Sequence, residues 1–271
     1  MTGAALILAL AGAYGAVVAA LALGQRRLQY RPGPGPIPDP ATLGEPRLQV
    51  VARAAGPRLA WYAPPPPAGR VVVYFHGNAG TVVDRLERAR FFLDAGLGVL
   101  LVEWPGFGGV PGRPSEPSVL AEARAAVAFL LAQGIAPASL VFYGESLGSG
   151  VAVRLAAEGP APGGVILDGG FTSALAVAQK RYPWIPVALF MRDRFDNLAV
   201  VSRVRGPFLI LHGGRDAIVP LAHAETMAQA VRGPVETYFP PSGGHVDLYD
   251  HGAGPVVLRF LRRWEAGLPS E

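Results

Sequence analysis

The sequence predicts an α/β architecture, a mostly parallel central sheet flanked by helices and preceded by one N-terminal apolar helix. Three observations predict it. From Val71 onward, short apolar runs alternate with longer helix-patterned segments, the signature of parallel strands joined by crossover helices. A G-x-S-x-G stretch, Gly144-Glu145-Ser146-Leu147-Gly148, lies between one such strand and a helix of small residues. Ahead of the first strand stands a run, Thr2 to Gln25, with no charged side chain.

Composition narrows the class. At 271 residues the chain accommodates one large α/β domain or two small ones, and 51% hydrophobic against 16% charged residues supports a sizeable core and argues against global disorder. The absence of cysteine removes disulfides, thiolate metal sites and a cysteine nucleophile. A formal charge of +4, carried mostly by scattered arginines with no basic run or aromatic ladder, favours an anionic membrane surface over nucleic acid as partner.

Within the N-terminal run, Ala4 to Leu23 supplies 20 apolar residues, and a helix of that length spans about 30 Å, a hydrocarbon core. Arg26, Arg27 and Arg31 stop it, with Tyr30 placed for the interface. A cleaved signal peptide is the rival reading, but the run exceeds the usual ~7–15 residues and no basic stretch precedes it. The arginines on its C-terminal flank favour a cytoplasmic folded domain by the positive-inside tendency. Arg31 to Pro46 reads as a Pro/Gly-rich extended linker.

Arg47–Arg53 and Arg58–Tyr62 read as two short strands, closed by a four-proline loop. The alternation then runs strand Val71–Phe75, helix Thr81–Ala95, strand Val99–Glu103, a glycine-rich loop through Gly112 and helix Ser115–Gln133. Strand Ser139–Tyr143 leads into the G-x-S-x-G turn, followed by a helix over Ser149–Ala157 and a strand at Val165–Leu167. Thr172 to Asn197 breaks the rhythm with Tyr182, Trp184, Phe190 and Phe195 among Lys180, Arg181, Arg192 and Arg194. It resumes with strand Phe208–Leu211, a helix from Leu221 to Val231, strand Val235–Phe239 and a helix from Gly254 to Ala266.

The chemistry gathers at the ends of these strands. A sharp turn lifts Ser146 clear of the sheet, and the Leu147 N–H at the helix start is aimed at a developing oxyanion. A serine hydroxyl needs a base. His245, in the loop Pro240-Pro241-Ser242-Gly243-Gly244-His245, is expected to supply it, with His251 the alternative; His212 and His223 read as structural or surface residues. Asp216 follows the penultimate strand and completes the order Ser, Asp, His of an α/β-hydrolase fold; Asp168 is the rival acid. The second oxyanion donor is expected from His76-Gly77-Asn78-Ala79-Gly80, with the Asn78 N–H preferred over Ala79 and His76 bracing the loop. No phosphate loop, dinucleotide fingerprint or H-E-x-x-H stretch occurs, so neither cofactor nor metal is expected.

HGNAG, EWPGFGGVPGRPSE, GESLG, RYPWIPVALFMRDRFDN, HGGRDAIVP and GGH occur in this order. Together they resemble the membrane-anchored α/β-hydrolase-domain proteins of the Bem46-like group, over about Arg47 to Trp264 and the preceding span. The resemblance implies Ser146 as nucleophile, Asp216 as acid and His245 as base, and a lipid-directed substrate range that includes, among relatives, depalmitoylation. The stretch Glu103-Trp104-Pro105-Gly106-Phe107, where relatives often carry an aspartate and tyrosines, is a departure that reads as a changed pocket wall. The expected organisation is an anchor over 1–25, a linker over 26–46 and a hydrolase domain over 47–271, with a small cap-like insertion at about 172–197. The expected function is cleavage of an ester or thioester with an apolar acyl group, Trp184 and Phe190 lining the acyl site and the basic residues of the insertion meeting lipid headgroups. A peptidase or amidase of the same fold, and a catalytically idle lipid- or partner-binding scaffold, are the alternatives.

Overall fold

The computed structural model describes residues 2–53 and 56–264. In chain order the elements are α1 (Gly3–Gln29), β1 (Arg31–Pro32), β2 (Gln49–Arg53), β3 (Gly56–Ala63), β4 (Val71–Phe75) and β5 (Ala79–Gly80). Then come α2 (Leu86–Asp94), β6 (Gly98–Val102), α3 (Glu116–Ala132), β7 (Leu140–Glu145), α4 (Leu147–Glu158) and β8 (Gly164–Asp168). The chain closes with α5 (Ala174–Arg181), α6 (Val187–Phe190), β9 (Phe208–Leu211), α7 (Ala222–Ala230), β10 (Val235–Tyr238) and α8 (Ala253–Arg263).

Eight strands form one sheet in the order β10-β9-β8-β7-β4-β6-β3-β2. Only β2 with β3 and β3 with β6 run antiparallel; the other neighbours are parallel. A parallel strand covered on both faces reads as a continuous apolar run, and β4 is wholly buried along Val71-Val72-Val73-Tyr74-Phe75. The period of two sorts its side chains. Val71, Val73 and Phe75 join the core that holds Ala123 of α3, Val151 of α4 and Met227 of α7. Val72 and Tyr74 join the core that holds Phe92 of α2 and Phe260 of α8. The result is a sheet between two helical layers, the fold the sequence predicts.

The departures have local causes. The helix expected over Thr81–Ala95 starts as a 3-10 turn, Val82–Arg85, because Thr81 and Asp84 close a reciprocal capping box ahead of α2. The helix expected over Gly254–Ala266 is α8, ending at Arg263, and its expected last residues lie outside the described ones. The larger difference lies at the N-terminal side. Arg31 to Pro46 is seated on the domain rather than strung out as a tether: β1 pairs in parallel with β5, and Ile37, Pro40 and Glu45 are buried. Tyr30, expected at the membrane interface, is only 2% exposed and sits in the same core as α3 and α4.

The interruption at 172–197 forms two short helices, α5 and α6, and then an extended stretch. It meets α1 along a row of polar contacts. Tyr14 Oη donates to the Trp184 carbonyl (2.7 Å) and Gln25 Nε2 to that of Phe190 (3.1 Å). The Arg192 N–H donates to Gln25 Oε1 (2.8 Å). Arg26 grips the buried Asp193 carboxylate through Nε and Nη2, at 2.8 and 3.1 Å.

Candidate active site

Ser146 stands between β7 and α4 with φ +48° and ψ −112°, a backbone region that non-glycine residues occupy only under constraint. The two flanking glycines are sterically required. A Cβ on Gly148 would lie 1.8 Å from the Phe75 carbonyl oxygen, and one on Gly144 would lie 2.6 Å from the Gly148 oxygen. The Ser146 N–H is tied to the Asp168 carbonyl (2.8 Å), which locks the turn onto the neighbouring strand.

Two loops from the far side of the sheet deliver the other groups. A Cβ on Gly213 would clash with Gly244 O at 2.1 Å, so the His212–Asp216 and Gly243–His245 loops interlock backbone to backbone. The Arg215 N–H donates to Gly243 O (2.9 Å), and the Gly244 N–H to Asp247 Oδ1 (2.7 Å). His245 Nε2 then lies 2.9 Å from Ser146 Oγ and its Nδ1 lies 2.6 Å from Asp216 Oδ2. An ionised carboxylate only accepts, so Nδ1 carries the proton and Nε2 presents its lone pair to the serine hydroxyl.

Asp216 is fitted to remain charged. Burial raises its pKa, but the His245 hydrogen bond and charge and the Val219 and Ile218 N–H groups outweigh that and hold it below the usual value. Those two amides reach Oδ1 at 2.9 and 2.8 Å. His212 lies alongside, its Nε2 2.7 Å from the Val219 oxygen and 3.3 Å from Asp216 Oδ2. Burial pushes its pKa down, so it stays neutral and braces the loop. The other histidines engage elsewhere: His223 meets Thr172, and His251 meets Ser242 and lies 3.6 Å from Asp247.

The opposite wall is the Gly77–Thr81 loop. A Cβ on Gly77 would come within 3.5 Å of Ser146 Cβ, which places this loop against the serine. The Leu147 N–H heads α4 and, like the Asn78 N–H, is engaged by no acceptor among the described residues. The loop is held from three directions. Glu145, the residue before the serine, accepts from the Gly77 N–H (3.3 Å) and from Tyr74 Oη (2.7 Å) and forms an ion pair with Arg85. Burial raises the Glu145 pKa, but the Arg85 charge and hydrogen bonds outweigh it and hold it near 2. Arg85 in turn donates to the Ala79 and Thr81 carbonyls (3.0 and 3.3 Å).

His76 is buried, with Nδ1 2.8 Å from Gly77 O and Nε2 2.8 Å from Glu103 Oε1. Glu103 Oε2 accepts from the Val82 N–H (2.9 Å). Glu103 therefore ties two ends of the loop together, and the reading of it as pocket wall is corrected. The third hold comes from the foot of α1. Asn78 Nδ2 donates to Gln29 O (2.7 Å), the Arg31 N–H to Asn78 O (2.8 Å) and the Gly33 N–H to Gly80 O (3.0 Å). Of these braces the sequence marks only His76, expected to hold the loop; the parts of Glu103, Glu145, Arg85 and Gln29 go unread, although Arg85 and Glu145 are charges in segments that read as core-facing.

Trp184 is 83% exposed and Phe190 half-buried. Both lie where the insertion meets α1, and neither is joined to Ser146, His245 or Asp216 by a described hydrogen bond. Arg194, expected to face headgroups, donates instead to the Met191 and Ala188 carbonyls (3.0 and 2.7 Å). Among the described residues no group of three or more His, Asp and Glu is disposed to hold a metal ion.

A mostly parallel sheet with a strained serine turn between strand and helix, faced by an Asp–His pair from later loops, is the architecture of an α/β hydrolase. Solved structures agree: the Pyrococcus furiosus esterase Pf2001 superposes with a TM-score of 0.68 at 18% identity, covering 87% of this chain and 99% of that one. TT1662 from Thermus thermophilus gives 0.62 at 25% identity, covering 81% and 98%. The chain belongs to the family of the uncharacterized Mycobacterium tuberculosis protein Rv2307c, to which it is 39% identical over 247 residues, 89% of this chain and 86% of that one. It is also 30% identical over 196 residues to α/β hydrolase domain-containing protein 17B of Xenopus laevis, a match spanning 69% of this chain and 64% of that protein. No family model matches the chain.

Proposed function

We propose that the protein is a serine hydrolase held in a membrane by α1 that cleaves carboxylic esters or thioesters of apolar acyl groups. One observation carries the reading: Ser146 Oγ, His245 and Asp216 form a continuous hydrogen-bonded line at 2.9 and 2.6 Å on a strained turn at the head of α4. Ser146 Oγ attacks the acyl carbonyl carbon while His245 Nε2 takes its proton. Asp216 holds the imidazole in the required tautomer and stabilises the imidazolium. The Leu147 and Asn78 N–H groups receive the oxyanion, at a helix N-terminus that favours negative charge. His245 then protonates the departing alkoxide or thiolate, and water, deprotonated by the same imidazole, releases the acid from the acyl-enzyme.

Support for the membrane is physical. α1 is long and apolar enough to span a bilayer and has no buried residue, with Ile7, Leu8 and Leu23 at least 68% exposed. Water would charge this surface a large hydrophobic penalty that lipid removes. Arg26 and Arg27 at its C-terminal end favour the cytoplasmic side for the domain. Trp184 and Leu189, 83% and 85% exposed on the insertion beside α1, would then enter the lipid interface and meet acyl chains there. A fluorophosphonate probe tests the chemistry: it should label the wild type and spare Ser146→Ala. Absence of labelling in a folded wild type, with no turnover of p-nitrophenyl esters of any chain length, would leave a binding scaffold instead.

A further inference from the structure

At the foot of α1 lies a cavity of about 830 Å³ that the proposed reaction does not use. Ala20, Leu23 and Gly24 of α1 give it an apolar wall, joined by Tyr30, Pro32 and Pro114. Three arginines line it from three parts of the chain: Arg27 from α1, Arg113 from the glycine-rich loop and Arg192 from the insertion.

Arg26, at the same cavity, is neutralised by the buried Asp193 carboxylate. Arg26 and Arg192 also border an adjoining cavity, where Arg124 and Arg154 stand with Glu116 and Glu158 and Arg124 is paired to Glu158 at 2.8 Å. Arg27, Arg113 and Arg192, by contrast, have no carboxylate within ion-pair distance among the described residues. Three like charges at one cavity repel one another unless an anion joins them. The cavity is also held in shape, since the Arg192 N–H is fixed to Gln25 and Arg26 to Asp193.

The geometry points to a binding site for the headgroup of an anionic glycerophospholipid. The phosphate would lie among Arg27, Arg113 and Arg192, and the acyl chains would rise along the Ala20–Leu23–Gly24 face of α1. A volume of this size suits a small-molecule headgroup, and basic pockets at the membrane boundary are suited to anionic lipids. The apolar wall continuing into α1 selects a lipid over a soluble phosphate. The inference rests on α1 spanning the bilayer, and its test separates the two.

Full-length protein in detergent is titrated with phosphatidylglycerol or phosphatidylcholine and the retained lipid is read by native mass spectrometry. Phosphatidylglycerol should be retained preferentially. The combined variant Arg27→Gln/Arg113→Gln/Arg192→Gln should weaken that retention about 100-fold, each basic group near an anionic lipid being worth about fivefold. An equal change of net charge elsewhere, Arg205→Gln/Arg232→Gln/Arg262→Gln, should leave it unchanged, and unchanged circular dichroism checks the fold of both. Equal retention of the two lipids, equal loss in both variants, or displacement by millimolar glycerol 3-phosphate would overturn the site. If the wild type is released from membranes by carbonate, the span fails; if it stays and shows no lipid preference, only the headgroup site does.

Discussion

Asp168 and Asp216 end up at neighbouring positions of the sheet, one closing β8 and the other just beyond β9, and both carboxylates are withdrawn from water. Their surroundings push them in opposite directions. Asp216 receives two backbone amides on one oxygen and His245 on the other, and is held below its usual pKa despite burial. Asp168 receives the Tyr143 hydroxyl on Oδ2, while Oδ1 finds no hydrogen-bond partner among the described residues. Burial, only partly opposed by Arg88 and Tyr143, pushes it up to about 6. One carboxylate is thus a permanent anion and the other a more deeply desolvated group that holds its proton into the mildly acidic range. The depth of burial, and the His245 hydrogen bond and charge with the two amides behind them, decide which is which.

The comparison is broken or sharpened by four measurements, taken from the largest effect down. Ser146→Ala and His245→Ala should each lower kcat on the order of 10⁶-fold, with the double variant little worse because the two act together. Asp216→Asn should lower kcat on the order of 10⁴-fold by leaving His245 in the wrong tautomer. If Asp216→Asn were mild and Asp168→Asn severe, the assignment of the two carboxylates would be reversed.

The loop on the other side of the serine extends the comparison, because there too backbone bonds set the position of a polar group. Arg31→Pro removes the N–H that reaches the Asn78 carbonyl, whereas Arg31→Ala keeps it. The proline variant should lose on the order of 10-fold in kcat on a short ester with KM unchanged, since a displaced oxyanion donor is felt in the transition state. Equal kinetics for the two variants would show that α1's exit does not position this loop. By the same reasoning, truncation through Gln25 should be better tolerated than truncation through Pro32.

The smallest effect on activity belongs to Asp168→Asn, less than about 10-fold, and its signature is in stability. A carboxyl whose folded pKa is raised to about 6 binds its proton more tightly in the folded state. Stability therefore falls as pH rises from its unfolded value through 6, by roughly 3 kcal/mol from this group. Asp216, with a lowered pKa, does the reverse and loses its contribution below the usual aspartate range. Urea unfolding of the wild type and Asp168→Asn from pH 4 to 7 should show the descending component only in the wild type.

The parts of the molecule legible in sequence are those with local rules. The serine turn was marked by its two glycines between an apolar strand and a small-residue helix, and the order Ser146, Asp216, His245 followed from where loops leave strands. His76 is legible as a brace of its loop, but the partners are not, because each is a pairing across long sequence separation with no period: Glu145 with Arg85, Glu103 with His76, Gln29 with Asn78. The stretch after α1 misled for a different reason. Proline and glycine report that a segment forms no helix or wide sheet, but they carry no information on whether it docks. Tyr30 beside arginines fits a membrane-interface pattern as well as it fits the core position it occupies.

The backbone at Ser146, with φ at +48°, has a consequence for how this chain evolves. Glycine adopts such a conformation without strain, and relief at a site of this kind is worth on the order of 1 kcal/mol. Ser146→Gly should therefore yield a protein that melts no lower than the parent, and higher if the lost hydroxyl contacts matter little, while hydrolysing nothing. A library screened for thermal robustness alone would drift toward inert molecules at this position. Selection for turnover has to be reapplied in every round to keep a serine there.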